Sequence, residues 1–400
     1  MNILFLCTYP IERPRHGGQL RARNIVDTYR SAGYNVEVIG VLGSDGYEKE
    51  KDFLPFPGVQ ALNLIIPNIL YMEDYALGQL FSEDLKYYKK LVALIKKEPD
   101  VIHVEQPWLY GFARRYISDS KKNIKIIYGS QNIEWQLKQQ ILSSSNDLET
   151  VSKNIESIKN LELEAITYAD AIICVSESDA EWIRPRTKRP VVVAPNGVKS
   201  WLVTEEGRKQ AVKITRGYDY ALYCASAHPP NMKGFFDMFG GGFGCLKPDE
   251  KLVIAGGAGW AISSDVRVHQ SPKLAEKVLV AGVVSQSCLE GLLEGAKCIV
   301  LPLTQGGGTN LKTAEALWAG KRIVATNTAM RGFEQYINSS GLSLADDPIT
   351  FKRALRNSMS LEPLILTNEQ IDERRTVLWE SCLAPLVKLM DNLDLDNGVI

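Results

Sequence analysis

The sequence predicts an α/β protein built from two doubly wound, Rossmann-like domains. Three observations carry that prediction. The chain has 400 residues, more than a single hydrophobic core usually serves. Short apolar runs alternate with amphipathic helical stretches almost throughout, the pattern of parallel sheets with helices on both faces. Residues 298–321 (CIVLPLTQGGGTNLKTAEALWAGK) pass from an apolar run through a glycine turn into a helix, an order of parts that makes an anion cradle.

Composition narrows the classes. Charged residues at 23% and hydrophobic residues at 45% are ordinary for a globular protein. A net charge of −1 gives no electrostatic case for a nucleic-acid partner. The seven cysteines are scattered, several inside apolar runs, with no C-x-x-C pair. That spacing suits buried thiols in a reducing compartment and argues against a disulfide framework or zinc site. The start (MNILFLCTYP) lacks a basic n-region, and no apolar stretch reaches the ~18 residues of a spanning helix. The expected location is the cytoplasm.

The elements follow in order. Residues 2–7 read as a short buried strand. Gly17 and Gly18 open an amphipathic helix with Leu20, Ile25, Val26 and Tyr29 on its apolar side, Gly33 ends it, and residues 35–41 form the next strand. The connecting loop carries no G-x-G-x-x-G, so this is no dinucleotide fingerprint. Residues 61–66 read as a further strand. Residues 82–97 (SEDLKYYKKLVALIKK) read as one helix, acidic first and basic last, which suits the dipole. It reads either as a solvated outer helix or as a contact with an anionic membrane surface through the lysines of 86–97.

Residues 101–104 are a buried strand with His103 and Glu105 at its C-terminal end, where open parallel sheets gather ligands. For His103 a satisfied core role and a site role both stand. Residues 125–128 are another strand, followed by Gln131 and Asn132, with Glu134 the nearest carboxylate. A long helix over 150–168, a strand over 171–175 and a strand with an Asn-Gly turn over 191–198 come next. The second domain opens with a strand at 220–225, a loop holding His228 and Lys233, and a helix starting near Gly234. A strand plus a glycine turn at 251–259 and strands at 277–285, 298–302 and 322–325 follow, with helices between. Residues 371–393 read as one terminal helix. The expected divisions are 1–190, 191–370, and a C-terminal helix at 371–400.

The glycine turn is the chemical centre. Gly306, Gly307 and Gly308 lack Cβ and let the backbone approach a phosphate closely. Thr309 or Asn310 caps the helix. Glu315 lies one to two turns into it, where a carboxylate accepts hydrogen bonds from a sugar diol.

The stretch GGGTNLKTAEALWAGKRIVAT resembles the nucleotide-sugar site of glycosyltransferase family 4. That resemblance implies a GT-B-like fold, two domains facing across a cleft, and a retaining enzyme that moves a sugar from a nucleotide-diphosphate donor to a glycan or lipid-linked acceptor, as in surface polysaccharide assembly. It implies donor contacts from Gly306, Gly307, Gly308, Thr309, Asn310, Glu315 (the ribose), Lys233, His228 and Val283. It implies acceptor-side positions at Gly17, Gly18, Glu105, Gln131, Asn132 and Glu134, and catalytic roles for Lys233, Glu315 and His103. Three positions depart from the family's usual pattern: Gly307 stands where an acidic residue is common, Gln131 where a His or Asp is common, and the Arg that usually precedes the Lys-Gly pair is absent. No cofactor beyond the nucleotide sugar is expected. No metal is expected either, because no Asp-x-Asp pair or His cluster follows a strand. The last helix is expected to cross back to the first domain, and any membrane contact to be peripheral, on the inner face.

Overall fold

The computed structural model describes residues 1–66, 71–142, 148–240, 242–305 and 309–395. The chain divides into two compact units, Met1–Pro195 with Leu383–Ile400, and Asn196–Cys382.

The first unit holds a seven-stranded sheet in the order β3-β2-β1-β4-β5-β6-β7. Its strands are β1 (Asn2–Cys7), β2 (Asn35–Val41), β3 (Phe53–Leu54), β4 (Val101–Glu105), β5 (Lys125–Ser130), β6 (Ala171–Cys174) and β7 (Val191–Val193). Every pairing is parallel. Because helices cover both faces, the strands are apolar on both sides rather than alternating. Leu4, Leu6, Ile102, Val104, Ile126 and Tyr128 point into one core. Their neighbours Phe5 and Ile127 are equally buried on the other side.

The second unit holds a six-stranded sheet in the order β10-β9-β8-β11-β12-β13. Its strands are β8 (Asp219–Cys224), β9 (Glu250–Ala255), β10 (Val278–Gly282), β11 (Cys298–Leu301), β12 (Arg322–Ala325) and β13 (Leu342–Leu344), all parallel. Alternate residues feed two cores, Leu222, Val253 and Ile299 on one face and Tyr223, Ile254 and Val300 on the other. Each unit is thus a Rossmann-like layer of the predicted class. In each the strand order reverses once, between β1 and β4 and between β8 and β11. In such sheets the crevice for ligands opens at that reversal, beyond the C-terminal strand ends.

Four expectations need correction. Residues 61–66 are not a strand: a short helix, Val59–Asn63, follows Gly58 (φ 90°) and buries Leu62. Residues 82–97 are not one helix. The helix Glu73–Glu83 ends where Asp84 turns to cap a new one, Leu85–Val92, by accepting from the N–H groups of Lys86 and Tyr87. Val191–Val193 pairs with β6, so it closes the first sheet instead of opening the second domain. The terminal helix is two, Asn368–Arg375 and Trp379–Leu395, because the chain between them bridges to Val198. There Gly197 has no room for a side chain: a Cβ would lie 2.8 Å from the backbone nitrogen of Trp379.

Candidate active site

In the first unit the reversal point collects a buried polar chain. β1 and β4 place Phe5 beside His103 in register, and the two rings stack at 4.6 Å. Tyr29, from the helix Gly17–Ser31, bonds His103 Nδ1 at 3.0 Å. His103 Nε2 meets Glu105 Oε2 at 2.8 Å. With Tyr29 O–H donating to Nδ1, Nε2–H donates to the carboxylate. Gln131 Nε2 donates to Glu105 Oε1 at 2.8 Å and to the Tyr9 hydroxyl at 2.6 Å. Arg21 Nε lies 3.4 Å from the same Oε1, and its Nη1 donates to the Ala194 carbonyl at 2.7 Å. Burial alone would raise the Glu105 carboxyl. The His103 hydrogen bond, the Arg21 charge and Gln131 outweigh it and hold the group below the usual carboxylate range.

The positions expected on the acceptor side therefore come together in part. Gly17 and Gly18 form the first turn of the Gly17–Ser31 helix, and a Cβ on Gly18 would sit 2.9 Å from Gln131 Oε1. Glycine here lets the helix start approach the amide. His103 and Glu105 are enclosed, at 0% and 1% exposure. In this geometry His103 orients Glu105 rather than facing open space. Glu134 is also buried. Its Oε1 accepts from Gln106 and Asn132, both at 3.2 Å. Gln106 holds a left-handed backbone (φ 64°), a strained conformation for a residue with a side chain, directly beyond β4.

In the second unit the reversal point lies between the loop after β8 and the loop after β11. Asn310 caps the helix Leu311–Trp318, its side chain accepting from Lys312 N. Gly306, Gly307 and Gly308 lie outside the described residues. Thr309 Oγ1 and Asn310 Nδ2 are buried and have no hydrogen-bond partner among the described residues. Such groups carry a desolvation cost until something bonds them. Glu315 stands one turn further on, partly buried. Burial pushes its carboxyl up to about 7, against the pull of Lys312.

Across from them, the helix Pro229–Phe239 begins at His228 and not near Gly234, because Pro229 and Pro230 supply its first turn. Burial, then the Lys312 charge, lowers the His228 imidazole. Lys233 is more than half exposed and pairs with Asp237 at 2.7 Å, whose Oδ2 also accepts from Thr304 at 2.6 Å. Gly234 is required for a different reason than phosphate approach: a Cβ would fall on the Pro302 carbonyl oxygen. Val283, just past β10, is 82% exposed.

Arg21, Gln106, Glu162 and Lys312 join these sites without being singled out by the sequence. Spacing held a signal for two. Arg21 lies three residues after Gly18, and Lys312 three before Glu315, so each pair shares a helix face. Gln106 and Glu162 act through tertiary contacts that no local spacing reports.

A model of glycosyltransferase family 4 matches residues 16–200, and a model of glycosyl transferases group 1 matches residues 220–360. No curated protein matches the chain at significant sequence similarity. Among solved structures the chain is similar to the sucrose-phosphate synthase of Thermosynechococcus elongatus, at 14% identity and TM-score 0.70, covering 99% of both chains. It is also similar to the Anabaena protein HepE in complex with UDP-glucose, at 13% identity and TM-score 0.61, over 100% of both. The lipopolysaccharide outer core galactosyltransferase WaaB matches at 16% identity and TM-score 0.61, over 99% of this chain and 100% of that one. At these identities the structural likeness speaks to the fold, which is that of the GT-B glycosyltransferases. Glycosyltransferase models thus match on both sides of its division, and the chain belongs to the glycosyltransferases, its first part matching family 4 and its second part group 1.

Proposed function

We propose that the chain is a retaining glycosyltransferase that moves a sugar from a nucleotide-diphosphate donor to a hydroxyl of a glycan or lipid-linked acceptor, in surface polysaccharide assembly. The observation that carries this reading is the turn ahead of the helix Leu311–Trp318. There Thr309 and Asn310 hold buried hydrogen-bonding groups without partners among the described residues, at the positive end of a helix. A diphosphate satisfies both and gains from the dipole. Glu315, deeper on the same helix, suits the paired hydroxyls of a ribose. The UDP-glucose held by HepE supports the same ligand class.

In this reading the acceptor contacts come from Gln131, Asn132 and Glu134, with Gly17 and Gly18 giving a closely approachable helix start. The diphosphate charge is met by helix and side chains, and no metal is called on. No helix among the described residues is long and apolar enough to cross a membrane. We place the protein in the cytoplasm, touching the inner membrane face peripherally. Exposed Leu85, Lys86, Lys89 and Lys90 on the Leu85–Val92 helix would make that contact.

One observation favours a second reading, a subunit that binds the donor without transferring it: His103 and Glu105 are enclosed, which leaves neither free to take an acceptor proton. Incubation with a nucleotide sugar and candidate acceptors separates the two. Acceptor-dependent release of nucleoside diphosphate, insensitive to EDTA, is expected of the transferase. Tight donor binding with no release for any acceptor would establish the silent subunit instead.

A further inference from the structure

Two lysines lie near the donor turn, and their surroundings differ sharply. Lys233 is more than half exposed and already neutralised by Asp237 at 2.7 Å. Lys312 is partly buried and sits in the first turn of the helix Leu311–Trp318, two residues after the Asn310 cap. The one hydrogen-bond partner of its ammonium among the described residues is the neutral Asn231 Oδ1, at 3.3 Å. Asn231 is itself fixed: its Nδ2 donates to the Ser226 carbonyl at 3.0 Å and its own carbonyl accepts from the Tyr223 hydroxyl at 2.8 Å.

This is a poor place for a cation. The first turn of a helix is its positive end and repels a lysine. Removing an ammonium from water costs further, and the nearby Glu315 carboxyl, itself pushed up by burial, offsets only part of that cost. The surroundings register that cost, since burial lowers the Lys312 ammonium from its usual range. A side chain held at such expense to the fold, beside two buried groups without partners among the described residues, is poised for an arriving anion.

We infer that Lys312, rather than Lys233, is the counter-charge for the diphosphate of the donor. The assignment rests on the nucleotide-sugar reading of the same site. Lys233 then serves the fold, holding Asp237 where Thr304 anchors the chain that leads into the glycine turn. The i, i+3 spacing places Lys312 and Glu315 on one helix face, so one helix presents a cation to the diphosphate and a carboxyl to the ribose.

The test is calorimetric titration of UDP, ADP, GDP and dTDP, and of the matching nucleosides, into wild type, Lys312→Met, Lys312→Arg and Lys233→Met, with thermal melts of each unliganded protein. Lys312→Met should weaken the preferred diphosphate tenfold or more while leaving the nucleoside within about twofold. It should also raise the unliganded melting temperature, because it removes a cation held out of water at the positive end of a helix, an effect that loss of a merely structural contact would not give. Lys312→Arg should restore part of the affinity, and Lys233→Met should change it less than threefold. If the wild type binds a diphosphate and Lys312→Met binds it equally well, or if Lys233→Met takes the loss, the assignment falls while the donor-site reading stands. If the wild type binds none of the four, both fall together.

Discussion

The Glu162 carboxyl caps the backbone of Glu134, accepting its N–H at 3.0 Å through Oε1 while Oε2 accepts from Trp135 N–H at 3.3 Å. Tyr128 adds a third bond to Oε1 at 3.1 Å. Two buried carboxyls thus meet at the start of the helix Glu134–Leu142. Burial pushes Glu134 up to about 7 and Glu162 up to about 8. In the unfolded chain both titrate in the ordinary carboxylate range, so the folded state binds more protons between the two. Stability contributed by the pair is present at acid pH and is lost as pH rises through 7 and 8.

The first prediction follows from that sign. Unfolding free energy should fall from the ordinary carboxylate value of 4.5 up to about pH 7 for Glu134 and about pH 8 for Glu162, by up to about 1.4 kcal/mol per pH unit for each group, and level off above. Glu105 works in the opposite sense, its contribution being lost at acid pH below the usual carboxylate range. Glu134→Gln should flatten the neutral slope, as denaturant melts at several pH values would read. Glu162→Gln should instead destabilise at every pH by about 1–3 kcal/mol, because its amide nitrogen cannot accept a backbone N–H. Equal slopes for wild type and Glu134→Gln would contradict the account.

Glu105 and Arg21 form an ion pair with both side chains at 1% exposure or less. Glu105→Ala should cost about 3–5 kcal/mol, since it removes the one buried carboxylate that Arg21 and His103 both meet. Tyr29→Phe removes only the hydroxyl facing His103 and should cost about 1–3 kcal/mol. Chemical denaturation of the two variants checks the order; a milder effect from Glu105→Ala than from Tyr29→Phe would be inconsistent with it.

Arg374 is buried at 3% exposure, and its guanidinium donates to the carbonyls of Leu317 at 3.1 Å and Ser340 at 2.7 Å. It thereby caps the C-terminal end of the helix that carries Glu315, with the charge sign the dipole favours there. Arg374→Ala should destabilise by about 2–3 kcal/mol and weaken nucleotide binding with it. Unchanged melting would show that water replaces the guanidinium.

Gly234→Ala should cost about 1–3 kcal/mol by forcing the helix Pro229–Phe239 away from the Pro302 carbonyl. The same shift should weaken donor binding, because Pro302 leads into the glycine turn. Gly58→Ala, at a left-handed glycine with open space around it, serves as the strain-only comparison.

Much of the fold was legible because parallel strands buried on both faces read as continuous apolar runs, and glycines such as Gly33 (φ 89°) and Gly320 (φ 68°) mark the helix ends. The edges were less legible. Val191–Val193 looks the same whether it ends one sheet or begins another, and only its pairing with β6 decides. The break between Arg375 and Trp379 comes from a bridge to Val198, far away in sequence. At the donor site, Asn310 and Glu315 were readable from the turn and the helix spacing. Lys312 was not singled out, because a lysine on an amphipathic helix reads as solvated until its burial is known.

The central claim is that the Leu311–Trp318 helix and its turn bind a nucleotide-diphosphate sugar. A thermal-shift panel of nucleoside diphosphates and nucleotide sugars on wild type and Glu315→Ala tests it most directly. Saturation at a hundredfold excess over the dissociation constant stabilises by about 2.7 kcal/mol. Wild type should show a clear, base-selective rise in melting temperature that Glu315→Ala abolishes. A wild type whose melting temperature no nucleotide raises would contradict it.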